Sequence, residues 1–357
     1  MLNAAEASRV LPLTKLFCSF GYYHKRDASA ARTPDKHDGL LTFPVPIKMT
    51  IRLATRASRL ALWQTEHVAN LLQKAGFATE IVPMQTTGDA VQDRSLAKIG
   101  SKGVFTEELE ISLLRGETHL AVHSAKDVQS SIPRELELLA FLEREQVNDV
   151  VLSFDEHFSL DKPGIVLGTS STRRKAQLRR FYPNASTAEA RGNLQTRLRK
   201  LEEGQFDALV LAYAGVHRMG YGHLVRHTLP AHQFVPATGQ GSIAIECAAD
   251  LDADLKSRLK SALDHPATHT CLLAERAFLH TMEGGCSIPS FALATLDEHG
   301  HLRLHGGLIS LSGEEYVEEI QRVGTAAEAK ALGVSVADAV LGRGGREILA
   351  SIREHRG

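Results

Sequence analysis

The chain has 357 residues, a mass of 38.9 kDa and a net charge of −1; 43% of its residues are hydrophobic and 23% are charged. These values are ordinary for a soluble globular protein of two or three domains. They exclude wholesale disorder, a fibrous protein and a protein whose whole surface targets nucleic acid. No apolar run approaches the roughly 18 residues that cross a bilayer. The four cysteines include no C-x-x-C pair, which indicates neither a disulfide framework nor a zinc ribbon and favours a reducing compartment.

Residues 1–48 differ from the rest of the chain. They carry seven basic and four acidic residues and show no sustained period. The apolar stretch around Leu11 to Tyr23 is interrupted by Pro12 and Lys15, so it makes a poor secretory signal, and the acidic residues weaken an organellar transit segment. We expect a disordered extension, or a start codon assigned too early with Met49 as the true start.

From Thr50 the pattern changes to short apolar strands that alternate with amphipathic helices. This alternation predicts parallel sheets built from right-handed crossovers, with strands buried on both faces. Two such sets are expected, before and after about residue 145. In chain order the predicted elements are strand IRLAT, a helix over 58–75, strand TEIVPM, a helix over 104–114, strand HLAVH, strand GIVLG, a helix over 171–181, segment STAEA, a helix over 194–203 and strand DALVLA.

The C-terminal third has a different pattern, which predicts a small α+β domain. A helix is expected over 267–281, and a helical end from Val336. Between them, FALATL, HLRLHGGLIS and EEYVEEI predict antiparallel strands, of which HLRLH alternates cleanly between polar and apolar residues.

Positive charge is concentrated between Arg173 and Lys200. Nine basic residues there face only Glu189 as an acid. The turn GTSSTRR places hydroxyls and free backbone N–H groups where a strand leads into a helix, which suits an anion. Arginine predominates, as is typical of fork-like recognition of carboxylates or phosphates. A solvated helix face is the plainer interpretation. The details favour a small polyanionic ligand, and no aromatic platform supports nucleic acid.

The segment VHSAKDVQ, residues 122–129, puts His123, Lys126 and Asp127 directly after an apolar strand. Ligands of open α/β sheets bind beyond the carboxyl ends of strands. A carboxylate in that place could balance positive charge that arises during a reaction. The alternative interpretation is a turn capped by an aspartate.

Cys286 stands in the glycine-rich stretch EGGCSIP. The two preceding glycines let the backbone turn freely and leave the thiol accessible, which predicts a nucleophile or a covalent attachment point. The surrounding residues fit no cysteine protease. Cys271 lies in a more apolar run and is expected to be structural.

No metal or nucleotide site is predicted. The best histidine cluster is His223, His227 and His232, which has no cysteine or carboxylate partner at a convincing ligand spacing, and the chain has no H-E-x-x-H motif. The glycines of ATGQGS do not form a G-x-G-x-x-G fingerprint, and there is no Walker loop.

Nine stretches follow one another in a recognisable order: IRLATRASRLALWQ, TTGD, KIGSKGVFTEELE, HSAKDV, GTSSTRRKAQL, ARGNLQTRL, LAYAGVHRMG, TGQGSIAIE and LAERAFLHTMEGGCSIP. Together they resemble the porphobilinogen deaminase family, also called the hydroxymethylbilane synthases. The resemblance spans about residues 50–290 and is compatible with the C-terminal third; residues 1–48 lie outside it.

The resemblance implies a transferase of tetrapyrrole biosynthesis that joins four porphobilinogen molecules head to tail to hydroxymethylbilane and releases ammonia each time. It also implies one dipyrromethane cofactor per chain, held through a thioether to Cys286. Asp127 matches the catalytic aspartate, whose carboxylate stabilises a cationic azafulvene-like intermediate. Cofactor-binding positions are matched by Lys126, Arg173, Arg174, Arg197 and Arg218, and substrate-binding positions by Arg56, Ser58 and Arg191.

The implied fold is α/β, with two type II periplasmic-binding-protein-like domains around an active-site cleft and a small C-terminal α+β domain. The implied boundaries are 49–145 with 243–261 for domain 1, 146–242 for domain 2 and 262–357 for the domain that carries the cofactor cysteine. We expect a cytoplasmic monomer, organellar if residues 1–48 are a transit segment. It would bind neither nucleic acid nor a membrane, and it could hand its product to uroporphyrinogen III synthase.

Several positions depart from the family pattern. Arg59 and Gln129 stand where proline is common, Ser290 stands where a small or aliphatic residue is usual, and EREQVND alters a hinge-side turn. None of these changes removes a proposed chemical group. The competing hypothesis is a binding-protein-like module that uses the arginine cleft for anions without chemistry. An intact mass separates the two, because a covalent dipyrromethane adds mass.

Overall fold

The structure is a computed structural model that describes residues 49–86, 106–283 and 288–354. These residues belong to one compact unit, 46–357. Among them, no helix has the length and apolar character needed to span a membrane. The predictions for residues 1–48 and for Cys286 lie outside the described residues.

Strands and helices alternate through most of the described chain. The strands are β1 (Thr50–Arg56), β2 (Ala78–Met84), β3 (Leu120–Ser124), β4 (Leu136–Phe141), β5 (Asp149–Leu152), β6 (Val166–Gly168), β7 (Ser186–Ala188), β8 (Ala208–Ala212), β9 (Val225–Thr228), β10 (Ile243–Ala248), β11 (Ser290–Leu296), β12 (Leu302–Ile309) and β13 (Tyr316–Val323). The helices are α1 (Arg59–Lys74), α2 (Glu107–Leu114), α3 (Thr172–Phe181), α4 (Leu194–Glu202), α5 (Tyr213–Arg218), α6 (Ala253–Leu263), α7 (Pro266–Thr281), α8 (Ala329–Val340) and α9 (Arg346–Glu354).

The first sheet has the strand order β2-β1-β3-β10-β4. Successive side chains of a strand point to opposite faces, and here both faces are covered. On one face, Ile51 and Leu53 pack with residues of α1 and α6. On the other face, Ala54 packs with Leu109 and Leu113 of α2. The inner strands β3 and β10 are buried on both faces along nearly their whole length, whereas the edge strand β2 is partly exposed.

The second sheet has the strand order β7-β6-β8-β5-β9. Leu167 and Val210 pack with Leu178 of α3 on one face, and Leu209 packs with Leu198 of α4 on the other. The helices predicted from the apolar spacing around these strands are therefore the ones that cover this sheet.

Both sheets share one topology. Each has a single reversed strand in the fourth position: β10 is antiparallel to β3 and β4, and β5 is antiparallel to β8 and β9. The prediction of parallel sheets is wrong for these two strands. Each enters its sheet directly from the other sheet, β5 after β4 and β10 after β9, so no helical crossover orients it. This mixed arrangement is that of type II periplasmic binding proteins, and the predicted fold class is confirmed.

The C-terminal part is the predicted α+β layer. Its three antiparallel strands have the order β11-β12-β13, and Phe278 of α7 and Val336 of α8 pack against Leu304 of β12. The last helical region begins at Ala329, earlier than expected. A capping box formed by Thr325 and Glu328 initiates the 3₁₀ turn Ala326–Glu328, which leads directly into this helix, and this T-x-x-E signal was present in the sequence.

Candidate active site

A pocket lies at the carboxyl ends of β1 and β3. Arg56 ends β1, Ser58 caps α1, and Asp127 ends the 3₁₀ turn that directly follows β3. All three side chains line this pocket. Because β1 and β3 are parallel neighbours, their carboxyl ends meet at the same edge of the sheet. The structure thus brings together three predicted site residues from two separate segments.

Two residues of this pocket were missed by the sequence analysis. Gln64 of α1 and Ser124 of β3 are hydrogen-bonded, with Gln64 Nε2 donating to Ser124 Oγ at 3.0 Å, and both line the pocket beside Asp127. The hydroxyl of Ser58 accepts from the backbone N–H of Ala61 at 3.4 Å, so it also caps α1. These contacts hold the start of α1 against β3.

Asp149 forms the centre of the arginine cluster, and no sequence prediction included it. It is completely buried at the start of β5. Its Oδ2 accepts from Arg173 Nη2 at 2.7 Å, and its Oδ1 accepts from Arg174 Nε at 2.9 Å. Burial alone would raise the pKa of this carboxyl, but the two guanidinium groups lower it to about 2, so it stays ionised. The only signal in the sequence was an aspartate at the head of an apolar strand, DVVL.

Arg173 and Arg174 are held from inside the protein, and both are buried. Arg173 Nη1 donates to Val235 O at 2.8 Å, and Arg174 Nη1 donates to Val210 O at 3.0 Å. Within the described part of the chain, the buried Nε of Arg173 has no hydrogen-bond partner. Most N–H donors of the two guanidinium groups are therefore bound to other residues of the protein. Binding of ligand carboxylates by these arginines stays a prediction.

Lys126 and Arg197 are desolvated cations near Arg174. Burial, followed by repulsion from Arg174, lowers the pKa of Lys126 to about 8, and the same two causes lower the pKa of Arg197 to about 10. The charge of Asp127 acts in the opposite direction on both. Lys126 follows β3 of the first sheet and Arg197 lies on α4 of the second, so the cluster draws on both sheets. A further anion here would favour the charged forms.

The cluster carries excess positive charge. Four cations face two carboxylates: Lys126, Arg173, Arg174 and Arg197 against Asp127 and Asp149. Partly desolvated cations are stabilised by a nearby anion, so this excess suits a ligand rich in carboxylates. A dipyrromethane brings two carboxylates on each of its two rings and fits the requirement.

The nine basic residues of 173–200 do not form one anion site. Arg191 Nε lies 3.1 Å from Glu189 Oε2, and Lys175 binds the same carboxylate. Arg180 lies in the last turn of α3. Its guanidinium is 4.7 Å from the ring centre of Tyr316, the first residue of β13, and donates to the carbonyl of Glu314 just before that strand, at 3.0 Å. The first turn of α3 therefore faces Asp149, while its last turn contacts the C-terminal sheet.

Arg218 is the last residue of α5 and contacts the turn 237–242, which precedes β10. Its Nη2 donates to Gly241 O at 2.8 Å, and its guanidinium lies 5.6 Å from the ring centre of Trp63. Gly239 has a φ of +74°, and a Cβ there would lie 2.8 Å from the carbonyl carbon of Ala125. Only glycine allows this close contact with the turn that carries Asp127.

A buried ion pair joins this glycine turn to α7. Glu275 is completely buried; its Oε1 accepts from Arg144 Nη1 at 2.5 Å, and its Oε2 accepts from the backbone N–H of Gly239 at 2.8 Å. Arg144 Nε donates to Gln240 O at 2.9 Å. Helix α7 ends shortly before residues 284–287, so the pair anchors the helix that precedes the predicted attachment cysteine.

The two described cysteines are unsuited to covalent chemistry. Burial and the charge of Glu137 raise the pKa of the Cys247 thiol to about 12. Burial and the charge of Glu275 raise the pKa of the Cys271 thiol to about 11. Both remain protonated at neutral pH and are poor nucleophiles. Within the described ranges, no group of three or more histidine, cysteine or acidic residues could hold a metal ion.

Comparison with known proteins gives a consistent result. A family model described as "Porphobilinogen deaminase, dipyromethane cofactor binding domain" matches residues 51–256, and one described as "Porphobilinogen deaminase, C-terminal domain" matches residues 269–342. A porphobilinogen deaminase of Cytophaga hutchinsonii is 51% identical over 306 residues, which cover 85% of this chain and 97% of that protein. One of Desulfosudis oleivorans is 47% identical over 310 residues, which cover 86% and 99%.

Two solved structures show a remote similarity to this chain. The periplasmic VFT2 domain of Bordetella pertussis BvgS aligns with a TM-score of 0.37 and 18% identity, over 60% of this chain and 85% of that one, in its double-mutant form. A second substrate binding domain of a putative amino acid ABC transporter from Streptococcus pneumoniae aligns with a TM-score of 0.38 and 11% identity, over 60% and 91%. The family models, and the identities over nearly the whole length of both relatives, show that this chain belongs to the porphobilinogen deaminase family.

Proposed function

We infer that the chain catalyses the head-to-tail condensation of four porphobilinogen molecules to hydroxymethylbilane, with release of ammonia at each addition. The observation that carries this function is the position of Asp127, which lines a pocket with Arg56 and Ser58 and interacts with the cations Lys126 and Arg197. A pyrrole that bears two carboxylates needs cations to bind it and an anion to oppose the positive charge that develops as ammonia leaves. The family relationship supplies the reaction, and this arrangement meets its electrostatic demands.

Asp127 is the group that opposes the developing charge. When the C–N bond of the aminomethyl group of porphobilinogen breaks, the substrate ring becomes electron-poor. The carboxylate interacts more strongly with that ring than with the intact substrate, so it lowers the barrier. Arg56, Ser58 and Arg191 bind the acetate and propionate groups of the substrate.

Five cations hold the cofactor, and Cys286 is its covalent attachment point. When bound, the dipyrromethane supplies the ring position on which the chain is built. The cations are Lys126, Arg173, Arg174, Arg197 and Arg218. The lowered pKa values of Lys126 and Arg197 support this assignment, because a neighbouring carboxylate would raise both. Asp149 orders the two guanidinium groups of Arg173 and Arg174 before a ligand arrives, which reduces the entropy cost of binding.

The domain organisation follows the two crossings between the sheets. We assign 49–145 with 243–261 to domain 1, 146–242 to domain 2 and 262–357 to the cofactor-carrying domain; the membership of β10 in the first sheet supports the split assignment. In this proposal the chain works as a cytoplasmic monomer and hands hydroxymethylbilane to uroporphyrinogen III synthase.

Intact mass and ammonia release test the function together. The chain should carry the added mass of one covalent dipyrromethane and should release ammonia from porphobilinogen. Cys286→Ser should lose the added mass, whereas the control Cys271→Ala should keep it, because Cys271 is buried in the C-terminal core. A chain with only its sequence mass that binds porphobilinogen without releasing ammonia would be an anion-binding module instead.

A further inference from the structure

His123 and Glu246 form a buried hydrogen-bonded pair beside the pocket that Asp127 lines. Nε2 of His123 lies 3.0 Å from Oε2 of Glu246, and the two side chains are 3% and 1% exposed. In the antiparallel pairing of β3 with β10, His123 lies opposite Ala244, so Glu246 reaches it along the diagonal. His123 also lines the pocket. The pair therefore joins the pocket wall to β10.

Stability does not account for this pair. Burying a carboxylate is expensive, and an apolar pair of similar volume is often equally stable or more so. Oε1 of Glu246 is buried and, within the described residues, has no hydrogen-bond partner, which adds a desolvation cost. Local arrangements that cost stability are expected at functional sites. A positional role for Glu246 explains the arrangement better than a structural one.

Arg276 extends the network to the other side of Asp127. Burial lowers the pKa of the Arg276 guanidinium, and the charge of Glu246 opposes that effect, so the two groups attract each other. Nη2 of Arg276 donates to the carbonyl of Gln129 at 2.8 Å. His123 and Gln129 thus lie on the two sides of the turn Ala125–Asp127, and each is bound by a group of this network.

One further charged group faces Glu246, from α2. Burial raises the pKa of Glu110, and the charge of Glu246 adds to that effect, while a hydrogen bond with Thr106 opposes it. Glu246 thus contacts His123 of β3 and interacts electrostatically with Arg276 of α7 and Glu110 of α2.

We propose that Glu246 is a positioning residue of the reaction: it binds His123 and attracts Arg276, which binds Gln129, and these interactions on the two sides of the turn 125–127 fix the carboxylate of Asp127 relative to the pocket. The proposal rests on the catalytic role of Asp127. Because Arg276 lies on α7, its hydrogen bond to Gln129 couples the turn to the helix that precedes Cys286. The position of this carboxylate matters, because a shift of a catalytic group by about 1 Å can lower the rate about 10²-fold.

Glu246→Gln tests the proposal, because it keeps the shape and one acceptor oxygen but removes the charge. We expect kcat to fall about ten- to a hundredfold, with KM unchanged. The mass of the covalent dipyrromethane should be retained and the melting temperature should not fall. An unchanged kcat, or a loss confined to KM, would overturn the proposal.

Glu318→Gln is the matched control. Glu318 binds His305, a buried histidine, through a contact of 2.6 Å between β12 and β13, and it lines no part of the pocket. This variant removes the same charge from a second cross-strand histidine–glutamate pair, in which the glutamate is 43% exposed, and should leave kcat and KM unchanged. An equal loss of kcat in both variants would show a general stability effect and would overturn the proposal.

A double variant separates this proposal from the proposed function. If Glu246 acts through Asp127, Glu246→Gln should not slow Asp127→Asn any further. Multiplicative losses would mean that Glu246 acts independently. Normal turnover of Asp127→Asn alone would refute the catalytic role of Asp127, and this proposal with it.

A second substitution covers the case in which Glu246→Gln does not fold. Arg276→Gln acts at a partly exposed position and removes the contact with the carbonyl of Gln129. It should lower kcat about tenfold and leave KM unchanged. A wild-type kcat for Arg276→Gln would overturn the proposal.

Discussion

The two five-stranded sheets share one topology but carry different charged groups beyond their strand ends. In the first sheet, the turn after β3 carries Asp127, which is half-buried and lines a pocket. In the second sheet, the turn after β6 leads into α3, whose first turn carries Arg173 and Arg174. The shared topology only determines where a ligand can lie. The residues in the turns decide whether that place offers an anion to a developing positive charge or cations to carboxylates.

The two aspartates show the same contrast in burial. Asp149 is completely buried, and two arginines and Gln240 occupy its carboxylate, so it acts as an internal counter-ion. Asp127 lines the pocket and remains accessible to a substrate. Loss of Asp149 should therefore damage the fold, and loss of Asp127 should damage the chemistry.

The largest expected effect is that of Asp149→Asn on stability. The change leaves two buried guanidinium groups without their anion, which should lower the free energy of unfolding by about 3–5 kcal/mol. Denaturant unfolding measures it. Asp161→Asn, at an exposed position of the same half, is the control and should cost less than about 0.5 kcal/mol. Equal stability of the two variants would contradict the counter-ion role.

The same carboxylate should contribute to acid unfolding. Its pKa falls from 3.8 to about 2 on folding, so its stabilising effect is complete above about pH 4 and is lost as the pH falls toward about 2. In a pH series of unfolding measurements, Asp149→Asn should show a shallower loss of stability in that window than the wild type.

The next effect is that of Asp127→Asn on turnover. The amide keeps the size and one acceptor but cannot oppose positive charge, so the single-turnover rate of ammonia release should fall about 10²–10³-fold. Asp127→Glu should keep part of the activity, because the charge remains but is displaced. If Asp127 is only a structural cap, Asp127→Asn should release ammonia normally and lose about 1 kcal/mol of stability.

A smaller effect is expected from Lys126 in a chain that lacks the cofactor, Cys286→Ser. The pKa of Lys126 is lowered from 10.5 to about 8, so the folded chain releases this proton first, and stability should rise with pH between about 8 and 10.5. Melting temperatures at about pH 7 and about pH 9.5 measure the rise. Lys126→Met in the same background should reduce it; an equal rise in both chains would contradict the desolvated lysine.

The smallest expected effect is that of removing residues 1–48. The family model begins its match at residue 51, so a chain that starts at Met49 should have the kcat and the melting temperature of the full chain. A large loss of activity would show that the extension contributes to the site.

Local patterns in the sequence were sufficient for much of this molecule. The spacing of residues along 58–75 predicted α1, and the predicted bounds of β1, β3 and α3 lie within one or two residues of the observed ones. Periodicity predicts these elements because the spacing of apolar residues within a helix or strand determines which of its faces is buried. The ordered motifs also predicted the family, which the comparisons confirm.

Only the tertiary structure determined the direction of β5 and β10, the role of Asp149 and the division of the basic segment. Apolar periodicity reports that a strand is buried, but not which strand lies beside it or in which direction that strand runs. Likewise, a charged residue in an apolar strand has no assigned role until its partner is known. Asp149 meets Arg173 and Arg174 from α3, and Glu246 meets His123 from β3, through contacts that join segments far apart in the chain. Those pairings depend on how the sheets and helices pack, and packing is a property of the whole chain.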